Sequence, residues 1–311
     1  MARRQTYGHI DRRSFLGGAG RLAVGGLTAG AFLEAMRPDD AWAAQTATTH
    51  PASARLIERL RTSFTFQISV DVATIEQGLS VASAALAGGV TIVEMGTPLL
   101  KNQGVANVVP AFRRKFPDAL LLADMKTMDG GAFEARAVYA GGGNIIDFLA
   151  LAGVDTAKSI CGVRDEFRRN DPNVPRLVFS DIMVPHQGPA AQAADIARRM
   201  LDAGVDSVGI HLQSDARRAD PTLISRDYVS EVARAVFERV GSTAPVQVVG
   251  GLSIAQAKRL AGAGLRAFVI SGNLGLPDST TRYDLPPDQI QRYVSDFVKE
   301  VSDGATRAPL G

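Results

Sequence analysis

Leu120-Leu121-Leu122-Ala123-Asp124-Met125-Lys126-Thr127-Met128-Asp129-Gly130-Gly131 is an apolar run that opens into three charges and stops at two glycines. Its first four residues read as a buried strand, and a helical stretch follows the glycines. In an α/β protein, chemistry is housed where a parallel strand opens into its loop. There the two carboxylates of Asp-x-Lys-x-x-Asp can flank the ammonium and keep it protonated. They still leave oxygens free for a metal or a substrate hydroxyl. The competing reading is a solvated turn with a chance ion pair. The rest of the chain decides between them.

Outward from this stretch, short β-rich runs alternate with amphipathic segments. The runs are Phe66–Val72, Thr91–Met95, Leu120–Met125, Ile145–Leu149, Leu177–Met183, Ser207–His211, Val246–Val249 and Ala267–Ser271. Helical segments between them include Ile75–Ala87, Ala132–Ala140, Ala190–Ala203, Asp227–Val240 and Ile254–Ala263. This alternation predicts a (β/α)8 TIM barrel over residues 63–304, with a doubly wound open sheet as the rival; eight regular units favour closure. Glycine after several helices, as in Ala140-Gly141-Gly142, supplies the left-handed residue that reverses the chain. The polar stretch from Arg164 to Pro175 reads as a surface extension of a helix and its loop. The final helix is expected over about Pro287 to Val301.

Residues 1–43 read as a leader rather than as part of the fold. Asp11-Arg12-Arg13-Ser14-Phe15-Leu16 is a twin-arginine signature. A Gly/Ala-rich stretch interrupted by Arg21 and Glu34 follows, and Ala41-Trp42-Ala43 offers a small-x-small cleavage site. The interrupting charges argue against a membrane anchor, so the expectation is export by the twin-arginine route and no membrane association after cleavage. Residues 44–62 read as a linker and a short helix. Removing residues 1–43 takes six arginines and four acidic residues from 34 basic and 32 acidic ones, leaving 28 of each. That balance gives no reason to expect a nucleic-acid partner. The lone Cys161 excludes an intramolecular disulfide.

The strand ends carry Asp71, Glu94, Asp124 with Lys126 and Asp129, Asp147, Asp181, His211, Gly250-Gly251 and Gly272-Asn273. Asp147 falls nearer the middle of its run and is discounted. So many inward carboxylates repel one another unless a divalent cation or the Lys126 ammonium relieves them. Oxygen donors, with no cysteine or paired histidines, point to Mg2+ rather than zinc. His211 shares a face with the acidic cluster and is a candidate acid/base; His186 is a secondary one. Glycines after the seventh and eighth runs sit where barrels bind phosphate, because their backbone N–H groups can approach an oxyanion.

Gln67-Ile68-Ser69-Val70-Asp71, the run Glu94-Met95-Gly96-Thr97-Pro98-Leu99-Leu100-Lys101-Asn102-Gln103-Gly104, and Ala123 to Asp129 together resemble the orotidine monophosphate decarboxylase superfamily. The branch most resembled is that of 3-hexulose-6-phosphate synthase and 3-keto-L-gulonate-6-phosphate decarboxylase. The resemblance spans about Phe66 to Gly275 and is densest over the first three strands. It implies that Glu94 and Asp124 bind Mg2+, that Lys126 and Asp71 hold substrate oxygens, and that Asp129 crosses into the partner's site of a homodimer. It further implies proton transfer by His211 and phosphate binding by the backbone at Gly250, Gly251, Gly272 and Asn273. The chemistry implied is a Mg2+-dependent carbon–carbon lyase acting on a sugar phosphate through a 1,2-enediolate, by aldol addition or decarboxylation.

Some positions depart from the pattern. Ser214 stands where the decarboxylase branch has an Arg three residues after the strand-six histidine, and Arg217-Arg218-Ala219-Asp220 replaces a Gln-Ala-Ala-Gly run. Glu94 and Asn273 stand where orotidine phosphate decarboxylases carry Lys and Arg. Export of a sugar-phosphate enzyme is itself unusual. An exported, non-catalytic binding protein on the same barrel is therefore the alternative of a different class.

Overall fold

The computed structural model describes residues 50–272 and 283–305. The expected leader, most of the linker and Asn273 lie outside the described residues. Helix α1 (Pro51–Thr62) precedes the first strand. The strands are β1 (Thr65–Val70), β2 (Ile92–Met95), β3 (Leu120–Thr127), β4 (Ile145–Leu149), β5 (Leu177–Val184), β6 (Ser207–Leu212), β7 (Val246–Val249) and β8 (Ala267–Ile270). They pair in parallel in chain order, and β8 returns to β1 to close a barrel. Closure removes the sheet edges on which the open-sheet rival depended.

Helices α2 (Ile75–Ala87), α3 (Thr97–Gln103), α4 (Val105–Lys115), α5 (Gly131–Ala140), α6 (Gly153–Asn170) and α7 (Ala190–Asp202) alternate with the first strands. Short α8 (Ser214–Ala219) and α9 (Thr222–Ser225) follow β6, ahead of α10 (Tyr228–Val240), α11 (Ile254–Gly262) and α12 (Pro287–Ala305). Their apolar faces form one core with the outward strand residues, such as Phe66, Val93, Leu121 and Ile146. All four residues of β2, β7 and β8 are buried, as expected for a parallel sheet covered on both faces. No helix among the described residues is long and apolar enough to cross a membrane.

The barrel interior has two layers. At the strand starts, Ile92, Leu122, Ile145, Leu177 and Phe179 pack with Leu56 and Leu60 of α1, which plugs that end. Burying each leucine contributes roughly 2 kcal/mol. Ser53 accepts from Arg176 N at 3.1 Å and ties α1 to the entry of β5. Higher up the interior turns polar, with Gln67, Glu94, Asp124, Asp147, Asp181 and Gln247 all buried.

Three expectations need correction. The polar stretch from Arg164 does extend a helix and an exposed loop, α6 running on to Asn170, but it is not all surface: Arg164 and Arg168 are buried on the inner face of α6. Four residues apart, they share one side of the helix and grip Asp206, at 2.8 and 2.9 Å respectively. Second, β3 continues past Met125 to Thr127. Its register slips between Asp124 and Thr127, and Lys126 adopts φ 47°. A bulge of this kind re-aims a side chain at the strand end, at some cost in strain. Third, α12 extends to Ala305. The expected chain reversal after α5 is present, with Gly142 at φ 98°.

Candidate active site

The C-terminal mouth of the barrel forms a pocket lined by Ser69, Asp71, Glu94, Asp124, Lys126 and His211. Arg217, Gly250, Gly251 and Gly272 line it as well. The bulge in β3 brings Lys126 Nζ to 2.6 Å from Asp124 Oδ2 and 3.9 Å from Asp181 Oδ2. The Thr97 hydroxyl donates to Asp124 Oδ2 at 2.7 Å. On the β1–β2 side, Ser69 donates to Glu94 Oε1 at 2.9 Å and Gln67 Nε2 donates to Glu94 Oε2. Gln67 is itself held by Gln247 Nε2 at 2.7 Å.

His211 Nδ1 lies 2.8 Å from Asp181 Oδ2. With Nδ1 turned to the carboxylate, Nε2 is left to the pocket. The pair depends on a neighbour: Gly209 faces Asp181 across the β5–β6 ladder, and a Cβ there would lie 2.4 Å from Asp181 Oδ1. A glycine inside a strand opposite an aspartate marks such a close approach.

Five carboxylates, of Asp71, Glu94, Asp124, Asp147 and Asp181, share this end with Lys126 and His211. Burial, then Asp124 and Asp71, push the Glu94 carboxyl well above the usual carboxylate range. Burial, then Asp181 and Asp124, do the same to Asp147. Asp181 goes the other way: burial alone would raise it, but His211 and Lys126 hold it below that range. Burial alone would lower Lys126; Asp124 and Asp181 outweigh burial and keep it protonated.

The structure thus brings together Asp71, Glu94, Asp124, Lys126, His211, Gly250, Gly251 and Gly272 at one pocket. Gly250 and Gly251 have φ of 121° and 74°, a backbone that only glycine adopts without strain. Asp129 is not in the pocket; it is exposed after β3, where its Oδ1 accepts from Gly130 N at 2.7 Å. Asn273 lies outside the described residues. His186 is exposed in a separate cleft with Leu151 and Arg199.

Discounting Asp147 is corrected. It pairs in register with Asp124, and its carboxylate lies within 4.8 Å of those of Asp124 and Asp181. Strand β4 is only five residues long, so its middle residue stands level with Asp124. The reading from sequence also assigned no role to Asp181 as the partner of His211, nor to Thr97, Ser69 or Arg217. The Asp181–Gly209 register was the available signal for the first of these.

The family model described as orotidine 5'-phosphate decarboxylase / HUMPS family matches residues 65–251. The 3-hexulose-6-phosphate synthase of Methylomonas aminofaciens is 29% identical over 133 residues, 43% of this chain and 57% of that protein. The chain spans about half the length of the curated relatives it matches, or less. A crystal structure of 3-hexulose-6-phosphate synthase superposes with a TM-score of 0.60 at 23% identity, covering 75% of this chain and 99% of the other. That of 3-keto-L-gulonate-6-phosphate decarboxylase from Vibrio cholerae gives 0.57 at 21%, covering 77% and 99%. At these identities the superpositions speak for the fold.

Proposed function

Because the chain belongs to the orotidine 5'-phosphate decarboxylase / HUMPS family, we propose that it is a carbon–carbon lyase that takes a sugar phosphate through a 1,2-enediolate. The reaction proposed is of the 3-hexulose-6-phosphate synthase kind, adding formaldehyde to ribulose 5-phosphate or a close relative. The observation that carries this reading is the convergence of the Lys126 ammonium and the Asp181-bound His211 on one pocket beside Glu94 and Asp124.

A divalent cation suits the residues present. The donors are all hard oxygens, and Asp124 Oδ1 is buried with no hydrogen-bond partner. Glu94 and Asp124 would hold Mg2+. When bound, it supplies positive charge that offsets the developing enediolate. The remaining work falls to the chain. Lys126, kept charged by Asp124 and Asp181, would offset the negative charge that grows on a substrate oxygen. Asp71, whose Oδ2 lies 3.2 Å from the Ser69 hydroxyl, orients a substrate hydroxyl. His211 Nε2 takes the proton from the carbon beside the carbonyl. The resulting carbanion bonds to the formaldehyde carbon, and the new alkoxide takes up a proton. Asp181 fixes the His211 ring and offsets the imidazolium. Backbone N–H groups at Gly250, Gly251 and Gly272 receive the phosphate.

Decarboxylation is the second reading, since loss of CO2 from a keto-acid sugar phosphate reaches the same enediolate. Ser214, where that branch carries an Arg, stands against it. We further propose a homodimer in which Asp129 completes the partner's site, and export directed by Arg12-Arg13 with cleavage after Ala43. Replacing both arginines by lysine should leave an unprocessed precursor in the cytoplasm.

The lyase reading is tested by NMR. Pentulose and hexulose phosphates are incubated with enzyme and Mg2+ in D2O. Deuterium entering at the carbon beside the carbonyl supports the enediolate. A sugar phosphate that binds without exchange at any member of the panel identifies a binding protein instead.

A further inference from the structure

Glu94 lies to one side of Asp124, on β2; on the other side, β4 and β5 contribute Asp147 and Asp181. One carboxylate oxygen from each of Asp124, Asp147 and Asp181 lies within 4.8 Å of the others. All three residues are buried; Asp147 is 5% exposed and Asp181 3%. Asp147 hydrogen-bonds Asp181 directly, and the other donors nearby serve one oxygen of each neighbour of Asp147. Lys126 and Thr97 reach Oδ2 of Asp124, and His211 and Lys126 reach Oδ2 of Asp181. Oδ1 of Asp124, of Asp147 and of Asp181 each stay buried with no hydrogen-bond partner.

A separate residue brings another unserved oxygen to the Asp181 side of this cluster. Gln247, 2% exposed, gives its N–H2 to Gln67, while its Oε1 is buried without a partner. A Cβ on Gly209 would lie 2.4 Å from Asp181 Oδ1 and 3.8 Å from Gln247 Oε1. The glycine therefore leaves open the ground between those two orphaned oxygens. Oxygens on opposite sides of a hard divalent ion lie roughly 4–5 Å apart, which matches the spread of the three carboxylates.

We propose that Asp124, Asp147 and Asp181 form a second divalent-cation site in the barrel interior, with Asp147 as its distinguishing ligand and Asp124 shared with the Glu94 side. This goes beyond the lyase reading, since the site is complete without any sugar phosphate. It takes hard cations of the Mg2+, Mn2+ or Ca2+ class, and its oxygen donors disfavour soft metals.

The probe is Mn2+, titrated into full-length, chelator-stripped protein without sugar phosphate and followed by the electron paramagnetic resonance of the free ion. The wild type should bind one tight equivalent. Asp147→Asn should weaken binding roughly tenfold or more, as loss of a ligand charge requires, and Glu94→Gln should change it far less. Gly209→Ala keeps every carboxylate but crowds Asp181 Oδ1, so it should also weaken Mn2+. Melting in EDTA guards against misfolding: Asp147→Asn removes repulsion and should melt no lower than wild type. Absence of tight Mn2+ in the wild type would overturn the proposal and leave a proton shared among the carboxylates. So would Mn2+ binding that depends on Glu94 and is indifferent to Asp147.

Discussion

The two ends of the barrel hold buried carboxylates in opposite circumstances. At the strand-start end, Asp206 faces two arginines. It accepts from Arg164 at 2.8 Å, Arg168 at 2.9 Å and the Val178 amide at 2.9 Å, so both its oxygens are served. At the strand-exit end, the ion-pair partners of Glu94, Asp124, Asp147 and Asp181 among the described residues are Lys126 and His211, and three of the four keep an orphaned oxygen. The first arrangement is closed and holds α6 to the barrel beside the α1 plug. The second leaves buried carboxylate oxygens unserved, and by our proposal a cation completes it. One fold thus keeps its charged machinery apart from the end that secures it.

The sharpest way to break this contrast is to attack the closed end. Asp206→Ala strands two buried guanidinium groups and should cost about 3–5 kcal/mol of stability by urea denaturation. Turnover per folded molecule should stay unchanged. A fall in turnover at full folding would show that the two ends are coupled.

Next comes the open end. Lys126→Ala should lower turnover by roughly 10²–10³-fold, the loss typical for one preorganised charge. The fold should persist, and Mg2+ should bind at least as tightly, because a repelling ammonium has gone. Weaker Mg2+ binding, read by calorimetry, would mean that Lys126 organises the carboxylates rather than the substrate.

Much of this was legible beforehand. The alternation of short apolar runs with amphipathic segments is a direct consequence of a parallel sheet covered by helices, so the barrel follows from it. Glu94, Asp124, Lys126 and His211 were legible because strand ends can be read from where apolar runs stop. Asp147 was not, because its level in the barrel depends on strand stagger, which no single strand reveals. Arg164 and Arg168 were misread as solvated because their partner, Asp206, is about 40 residues away. The bulge that turns Lys126 back onto Asp124 has no local signature, since no glycine marks it.

A smaller effect tests the dimer. Mixing inactive Lys126→Ala and Asp129→Ala subunits should restore part of the activity, because a hybrid holds one intact site if Asp129 reaches across. The exposed Met128 and Phe133 flank that segment. No recovery after confirmed subunit exchange would confine each site to one chain.

The smallest expected difference is one of sign with pH. Burial alone would raise Asp206, but Arg164 and Arg168 hold it below the usual range. It therefore contributes stability above its unfolded pKa of about 3.9, lost as pH falls through the lowered folded value. Glu94 and Asp147 are raised, so in metal-free buffer their contribution is present below about pH 4 and lost as pH rises through their folded values. Urea midpoints against pH in EDTA should show Asp206→Asn flattening the acid-side loss. Glu94→Gln with Asp147→Asn should flatten the loss toward neutrality. Identical profiles for both would remove the electrostatic distinction between the ends.

The most direct measurement is the melting temperature in EDTA and in saturating Mg2+, for wild type, Asp206→Asn and Asp147→Asn. A ligand at about a hundred times its dissociation constant adds roughly 2.7 kcal/mol, or several degrees for a domain of this size. Wild type should gain that increment. Asp206→Asn should melt lower but gain the same increment, since distant sites add, and Asp147→Asn should gain much less. A wild type indifferent to Mg2+, or an equal gain in all three proteins, would contradict the claim that a cation completes the open end.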